Sequence, residues 1–201
     1  MTITQLTVTE LKVADPARFD KEYCKWQGYC VDYDWWDLQE EAFKAQHADA
    51  GVTIQSISFN LYGQGSGASF TGRIALAQLM KHLKLDEEYL PLYLAVEGDG
   101  TYATVGTSNY GNVQVSIDIE PWYQTPVGVF ADLDPVGWEA LIEAQLESAG
   151  LEDVALDFCK LLCKDLYCEL VAQYEHLTSE EAFIESCECN EITFGIEGAD
   201  E

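Results

Sequence analysis

Basic residues are scarce in this sequence. Its 201 residues include ten Lys and Arg against 36 Asp and Glu, giving a formal net charge of −26 at pH 7. Residues 1–84 are nearly balanced, with ten acidic and eight basic residues, whereas residues 85–201 hold 26 acidic residues and only two bases, Lys160 and Lys164. A negative field of this strength repels nucleic acid, nucleotides and anionic membranes, and it attracts basic protein surfaces.

An acidic surface can also form without a dedicated partner. Negative charge increases solubility, and it accompanies adaptation to high salt. Adaptation to salt should acidify the whole surface, yet residues 1–84 carry a net charge of only −2. The uneven distribution therefore favours a basic partner for residues 85–201, with a merely solvated acidic surface as the open alternative.

Long apolar runs and paired cysteine motifs are also missing. No run of about 18 apolar residues is present, so no membrane span is expected. The first residues, Met1 to Gln5, have no basic residue before an apolar stretch, so no secretory signal is expected. The seven cysteines form no Cys-X-X-Cys pair, and no His stands at ligand spacing. This pattern predicts reduced, mostly buried thiols in a cytosol, with neither disulfides nor zinc.

Acidic residues near position 35 offer a weak metal site. Asp32, Asp34 and Asp37, with Glu40 or Glu41, supply the oxygen ligands that a hard cation prefers. Consecutive helix positions do not converge on one point, and carboxylates in a first helical turn are stabilised by the helix dipole. We therefore predict no metal, no cofactor and no catalytic residue.

The hydrophobic pattern predicts both strands and helices. Alternation predicts strands at about 3–13, 52–62, 68–74, 92–97, 101–108, 113–119 and 191–194. Helical spacing with capping signals predicts helices at about 15–27, 32–50, 74–85, 134–149, 151–174 and 178–187. We expect one α+β domain over 1–201, with a single antiparallel sheet of about five or six strands, helices packed on one face and a helical C-terminal half.

A glycine-rich turn lies between the strands predicted at 52–62 and 68–74. Gly63, Gly65 and Gly67 allow positive φ angles and a close approach of the backbone to another group. The turn is either a tight structural hairpin or a cradle that binds a phosphate through backbone N–H groups. A strand follows it, so it is not a nucleotide-binding loop of the strand–glycine–helix kind. The candidate ligand residues are Gln64, Gly65, Ser66, Gly67, Ser69 and Arg73.

Several motifs, taken in order, resemble a group of bacteriophage and prophage proteins. The group has a Trp-rich helix, a Gly-Ile/Val-X-Ile segment and a glycine hairpin of the form Ser-Gln-Gly-Asp-Gly-Ala-Ser/Cys-Phe-X-Gly. The matching segments here are Asp34-Trp-Trp-Asp37 with Glu41-Ala-Phe43, then Gly51-Val-Thr-Ile54, and Gly63-Gln-Gly-Ser-Gly-Ala-Ser-Phe-Thr-Gly72. Near the end, Gln173-Tyr-Glu-His-Leu-Thr-Ser-Glu-Glu181 and Asn190-Glu-Ile-Thr-Phe194 resemble further motifs of the group.

Members of that group are commonly labelled "antitoxin of a toxin-antitoxin system". The resemblance implies a phage-encoded protein in the cytoplasm of an infected bacterial host. Ser66 stands where the group usually has Asp, so any metal-binding or base chemistry of that Asp is lost here.

Two functions follow as hypotheses. The first is a phage-encoded, non-enzymatic acidic protein that binds and inhibits a basic host protein, as a DNA mimic or a blocker of a defence or nucleic-acid enzyme. Aromatic residues in the Pro-containing segment near 120–138 either anchor that partner or fill the core. The candidate partner-binding residues are Glu139, Glu143, Glu147, Glu152, Asp153, Asp157, Glu169, Trp122 and Tyr123. The alternative is a protein that binds or sequesters a nucleotide or small molecule with the 63–72 hairpin.

Overall fold

A computed structural model describes residues 3–32, 34–97, 101–107, 113–117 and 131–197, and the structural statements below concern those residues. The predicted α+β class is confirmed. The strands are β1 (Ile3–Leu6), β2 (Val52–Asn60), β3 (Gly67–Ala75), β4 (Tyr102–Thr107), β5 (Val113–Ile117) and β6 (Phe194–Glu197). The α-helices are α1 (Val8–Ala14), α2 (Pro16–Gln27), α3 (Asp37–His47), α4 (Leu76–His82), α5 (Leu90–Glu97), α6 (Pro135–Ala149), α7 (Leu151–Leu177) and α8 (Glu180–Cys189).

The expected single sheet of five or six strands is not confirmed. The described strands form a four-stranded antiparallel sheet in the order β2-β3-β4-β5 and a separate two-stranded sheet of β1 and β6. In the smaller sheet Ile3 lies opposite Glu197 and Leu6 lies opposite Phe194. The strand expected to close the larger sheet therefore pairs with the first strand instead.

Two predicted strands are wrong over part or all of their length. The strand predicted at 3–13 ends at Leu6, because Thr7 caps α1: its hydroxyl accepts from Glu10 N–H and the Glu10 carboxylate accepts from Thr7 N–H. This reciprocal pair is a capping box. The segment predicted as a strand at 92–97 forms helix α5. Its apolar run is short and continuous, and hydrophobic periodicity cannot distinguish a buried strand from a buried helix in such a run.

The chain divides into two compact units, and the prediction of a single domain stays a prediction. Unit 1 comprises residues 1–37 and 170–201. Its core is formed by Val8, Leu11, Phe19, Trp26, Phe183 and Cys187. Two side chains of α2 form hydrogen bonds with the C-terminal segment of unit 1, residues 170–201. Arg18 Nη1 donates to Gly195 O at 2.8 Å, and the Tyr23 hydroxyl donates to Thr178 O at 2.7 Å.

Unit 2 comprises residues 38–169. Its largest fully buried side chains are Phe43, Phe70, Ile74, Leu76, Leu79, Met80, Leu92, Trp138, Ile142 and Leu151. The Tyr167 hydroxyl of α7 donates to Leu61 O at 2.9 Å, next to the end of β2. Leu92 N–H of α5 donates to Gln145 Oε1 of α6 at 3.0 Å. These contacts hold α6, and the part of α7 that belongs to unit 2 (residues 151–169), against the rest of the unit that carries most of the candidate site. Within the described ranges, every helix is too short or too polar to cross a bilayer.

Candidate functional site

A single residue joins helices α6 and α7. The predicted start of α6 is confirmed: Asp134 is the N-cap, its side chain accepts from Gly137 N–H at 2.9 Å, and Pro135 occupies the first turn. The helix ends at Gly150, whose φ of +55° is left-handed and whose N–H donates to Glu147 O. Helix α7 begins at Leu151. The C-terminal end of α6 therefore lies directly beside the first turn of α7.

An acidic cleft lies at this junction. Its volume is about 370 Å³, and its apolar wall consists of Ile117 from β5, Leu146 and Leu151. Four carboxylates line it, two from each helix, and all four belong to exposed residues. We call these the cleft carboxylates: Glu143, Glu147, Glu152 and Asp153. The structure thus brings together four of the seven carboxylates that the sequence predicted for a partner.

Three other predicted partner-binding residues, Glu139, Asp157 and Glu169, are described and do not line the cleft. Asp157 forms an ion pair with Lys160 at 2.8 Å. Glu139 and Glu169 are half-buried, and burial together with the nearby Asp165 raises the pKa of Glu169. Trp122 and Tyr123 lie outside the described residues.

The cleft carboxylates have no cationic partner among the described residues. The described ion pairs involve Lys12, Lys25, Lys44, Lys81 and Lys160, and none of them reaches the cleft. The described residues also contain no group of three or more His, Cys, Asp or Glu side chains arranged to hold a metal ion. An acidic rim over apolar side chains suits a Lys or Arg side chain, because its alkyl stem packs on apolar surface while its charge stays at the rim.

The glycine hairpin has a structural explanation. Gly63 and Gly65 have φ angles of +99° and +80°, and Ser66 N–H donates to Gly63 O at 3.4 Å across the turn. A Cβ atom on Gly72 would lie 2.1 Å from Thr53 O, where the β2–β3 register shifts between Ile54 and Ser56. The turn therefore needs glycine at two positions and the strand pair needs it at a third.

The structure spreads the candidate ligand residues of the hairpin along β3. Gln64, Gly65 and Ser66 are exposed at the turn, Gly67 is half-buried, and Ser69 is buried. Arg73 lies over the Tyr102 ring at 5.9 Å. Seven residues separate Arg73 from Ser66, about 23 Å at the usual rise of about 3.3 Å per residue. Arg73 therefore does not share a ligand position with the residues of the turn.

A second cavity, which sequence reasoning missed, lies at the opposite end of β2 and β3. Its volume is about 320 Å³, and Thr53, Gln78, Glu97 and Thr101 supply its polar lining. Thr101 is only 4% exposed, and its hydroxyl has no hydrogen-bond partner in the described structure. No sequence signal marks this cavity, because its lining comes from separate segments of the chain.

Glu97, in that lining, belongs to a small polar cluster. Its carboxylate accepts from the Tyr93 hydroxyl and lies 3.4 Å from Lys81 Nζ. The hydrogen bond from Tyr93 is the main cause that lowers the pKa of Glu97. Burial, followed by the bond to Glu97, raises the pKa of Tyr93. The cluster holds Glu97 ionised at the edge of the cavity.

The cysteines are all free thiols, and three of them, Cys159, Cys163 and Cys187, are buried. Burial raises the pKa of Cys159 to about 12 and that of Cys163 to about 11. A thiol with so high a pKa is a poor nucleophile and a poor metal ligand at neutral pH. The expectation of mostly buried thiols is therefore wrong: three of the seven are buried, Cys30 is half-buried, and Cys24, Cys168 and Cys189 are exposed.

The chain gives no match to any protein-family model, to any curated protein or to any solved structure. The geometry of the cleft and of the cavities therefore carries the functional inference.

Proposed function

We propose that this chain is a phage-encoded, non-enzymatic acidic protein that binds and inhibits a basic host protein through α6 and α7. The observation that carries the proposal is the position of the cleft carboxylates: they are exposed, they line one cleft, and no described base neutralises them. Exposed charges of one sign steer an oppositely charged partner and increase the rate of encounter. The phage origin rests on the motif resemblance at residues 32–72 and 173–194.

Mimicry of DNA requires both helices. Glu139, Glu143 and Glu147 recur every four residues of α6, about 6 Å apart along the axis. A strand of DNA presents one phosphate about every 3.4 Å. One helical row is therefore too sparse, and Glu152 and Asp153 at the start of α7 raise the charge density at the end of that row.

Affinity capture from bacterial lysate tests this proposal. The tagged protein is compared with the cleft variant E143Q/E147Q/E152Q/D153N. The matched control is D20N/E41Q/E181Q/E185Q, which removes four charges by the same substitutions from exposed residues elsewhere. We expect the wild type and the control to retain a basic protein at low salt and to release it as salt rises, because surface charges are screened. The cleft variant should retain at least about tenfold less of that basic protein than the wild type does.

Competition with duplex DNA tests mimicry itself. If the cleft carboxylates occupy the phosphate-binding groove of the captured host protein, duplex DNA should compete for that groove and release the host protein from the acidic chain. Capture of no basic protein at low salt, or equal capture by the cleft variant and the control, would contradict the proposal. If the host protein is still retained in the presence of excess DNA, the binding of a basic partner stands, but the hypothesis of DNA mimicry is wrong.

A polar cavity of about 320 Å³ favours a second candidate function, the binding of a small molecule. Glu97, which Tyr93 and Lys81 hold ionised, supplies a carboxylate with which a cationic or hydrogen-bonding ligand can pair. The site for such a ligand is the cavity at Thr53, Gln78, Glu97 and Thr101 and not the tip of the hairpin.

Thermal shift against a panel of nucleotides and polar metabolites tests this second candidate. A bound ligand should raise Tm by mass action. E97Q removes the charge of the carboxylate at nearly constant shape, so it should reduce the shift of any ligand that pairs with Glu97. T104V, at an exposed residue of β4, is the control and should keep the shift. A shift that is unchanged in E97Q would place the ligand elsewhere, and no shift from any compound would remove this candidate.

A further inference from the structure

Four aromatic side chains and one carboxylate line a cavity in unit 1. The cavity has a volume of about 260 Å³, and its ring-bearing residues are Tyr29, Trp35, Trp36 and Tyr174. Asp32, an exposed residue, supplies the carboxylate. We call these five residues the aromatic cage. It shares no residue with the acidic cleft, and none of its rings belongs to the core of unit 1.

The rings of the cage face in different directions. The centroid of the Trp35 ring lies 6.0 Å from that of Trp36, and the two ring planes make an angle of 88°. The Trp35 ring also lies 5.5 Å from the Tyr174 ring, at an angle of 59°. Tyr29 is 68% exposed and lines the same cavity. Flat walls at large mutual angles enclose a rounded group better than a planar one.

Local structure holds the two walls together. Helix α2 ends at Gly28, and Tyr29 N–H donates to Trp26 O at 3.0 Å. Gln27 Nε2 donates to Thr178 O at 2.9 Å, which ties the end of α2 to the residue that follows α7. Tyr174 lies in the last turn of α7, so the same bond fixes Tyr29 and Tyr174 in one neighbourhood within unit 1.

The chemistry of the cavity selects a cation with an apolar surface. Aromatic faces carry negative electrostatic potential and attract a cation within about 6 Å of the ring centroid, most strongly when the ring is Trp. The Asp32 carboxylate adds a full negative charge at the same cavity. A guanidinium ion stacks in parallel with a ring, whereas a tetrahedral alkylammonium group presents methyl groups to walls at any angle.

We propose that the aromatic cage binds a quaternary ammonium group. This site is separate from the acidic cleft, and it goes beyond the proposed function because it gives the chain a small cationic ligand or a methylated ammonium side chain. Choline, trimethyllysine and tetramethylammonium share the required chemistry. Comparing free choline with a trimethyllysine peptide distinguishes a metabolite from a modified protein as the source.

Calorimetry with choline and its neutral carbon isostere, 3,3-dimethylbutan-1-ol, is the test. The two probes have nearly the same shape and differ in charge. We expect choline to bind the full chain in the millimolar range and the alcohol to bind at least about tenfold more weakly, because ring faces distinguish the cation from the neutral group. Equal affinity for the two probes, or no heat from choline at 50 mM, would overturn the proposal.

Variants then assign the binding to the cage. W36L removes one wall and D32N removes the carboxylate, and each should weaken choline binding by about fivefold or more. D34N is the matched control. Asp34 is also exposed, lies two residues from Asp32 and does not line the cavity, so the D34N variant should bind choline with the affinity of the wild type. Equal losses in D32N and D34N would show general charge attraction and contradict the cage. The cleft variant should bind choline as the wild type does. A failure of the aromatic cage proposal can therefore be distinguished from a failure of the proposed binding at the acidic cleft.

Discussion

The glycine hairpin and the α6–α7 junction both stand out in the sequence, and the structure explains only one of them. In the hairpin, Gly63 and Gly65 have positive φ angles and Gly72 lies against the Thr53 carbonyl. Each of these glycines is required by the path of the chain. At the junction, Glu152 and Asp153 lie in the first turn of α7, where the helix dipole favours them, but no such explanation applies to Glu143 and Glu147. No described base pairs with any of the four cleft carboxylates.

The difference shows how a conspicuous motif should be weighed. A residue whose presence the fold already requires gives little evidence of a ligand. Glu143 and Glu147 have no such requirement, and placing them beside Glu152 and Asp153 as exposed like charges has an electrostatic cost. Their position therefore favours a role outside the fold, and the hairpin glycines favour a role within it.

Substitution of Gly72 should have the largest effect on stability. A Cβ atom there would lie 2.1 Å from Thr53 O, and the backbone contact can be relieved only by moving β2 away from β3. We expect G72A to lower the free energy of unfolding by about 3 kcal/mol, measured by urea denaturation. G67A is the control, because no atom lies within 4 Å of the added Cβ. Equal costs in the two variants would mean that glycine is not needed for strand contact at Gly72.

Alkaline pH should weaken unit 2 through its buried thiols. The pKa of Cys159 is raised to about 12 and that of Cys163 to about 11, from an ordinary value of 9.0. Above pH 9 the unfolded chain releases these protons while the folded chain retains them, so stability falls as pH rises toward 11 and 12. Urea titrations from pH 8 to 11 should show a steeper loss in the wild type than in C159A/C163A.

The same thiols give a second readout. A thiol reagent at pH 8 should label Cys24, Cys168 and Cys189 in the folded protein and the buried thiols only after unfolding. Rapid labelling of Cys159 in the folded protein, or the same pH dependence in both proteins, would contradict burial as the cause.

Single carboxylates in the cleft should have the smallest effects, with opposite signs at the two helices. Glu147 lies in the last turn of α6, where the helix dipole disfavours a negative charge, and Glu143 stands one turn before it. Glu152 lies in the first turn of α7, where the dipole favours it. We expect E147Q to raise the free energy of unfolding by about 0.5 kcal/mol and E152Q to lower it by about as much. A large loss of unfolding free energy in E147Q would show that Glu147 has a structural role, and would weaken the contrast between the junction and the hairpin.

Local signals predicted the α+β class and several helix starts, whereas the long-range pairing of strands was not predictable. Asp15, Asp134 and Ser179 each accept from a backbone N–H at the start of a helix, and the Pro or Glu residues after them mark those starts in the sequence. The same signal at Thr7 and Glu10 lies inside a stretch whose alternation predicts a strand. The pairing of β1 with β6 joins residues about 190 positions apart in the sequence, and no local pattern encodes it.

The candidate site was predicted in part for a similar reason. Helical spacing placed Glu143 and Glu147 on α6, and Gly150 marked the end of that helix. The apolar wall from Ile117, the buried hydroxyl of Thr101 and the meeting of Trp35 with Tyr174 depend on tertiary contacts. Sequence patterns give the residue types of such sites but not the segments that meet there.

The most direct test of the central claim is the affinity of a fluorescent decalysine peptide for three proteins at 20, 50 and 150 mM salt. The proteins are the wild type, the cleft variant E143Q/E147Q/E152Q/D153N and the control D20N/E41Q/E181Q/E185Q, and the two variants have the same net charge. If the position of the carboxylates matters, the cleft variant should bind at least about tenfold more weakly at 50 mM salt, and the control within about twofold of the wild type. Equal losses in the two variants would show that total charge alone attracts the peptide, and would contradict a binding site at α6 and α7.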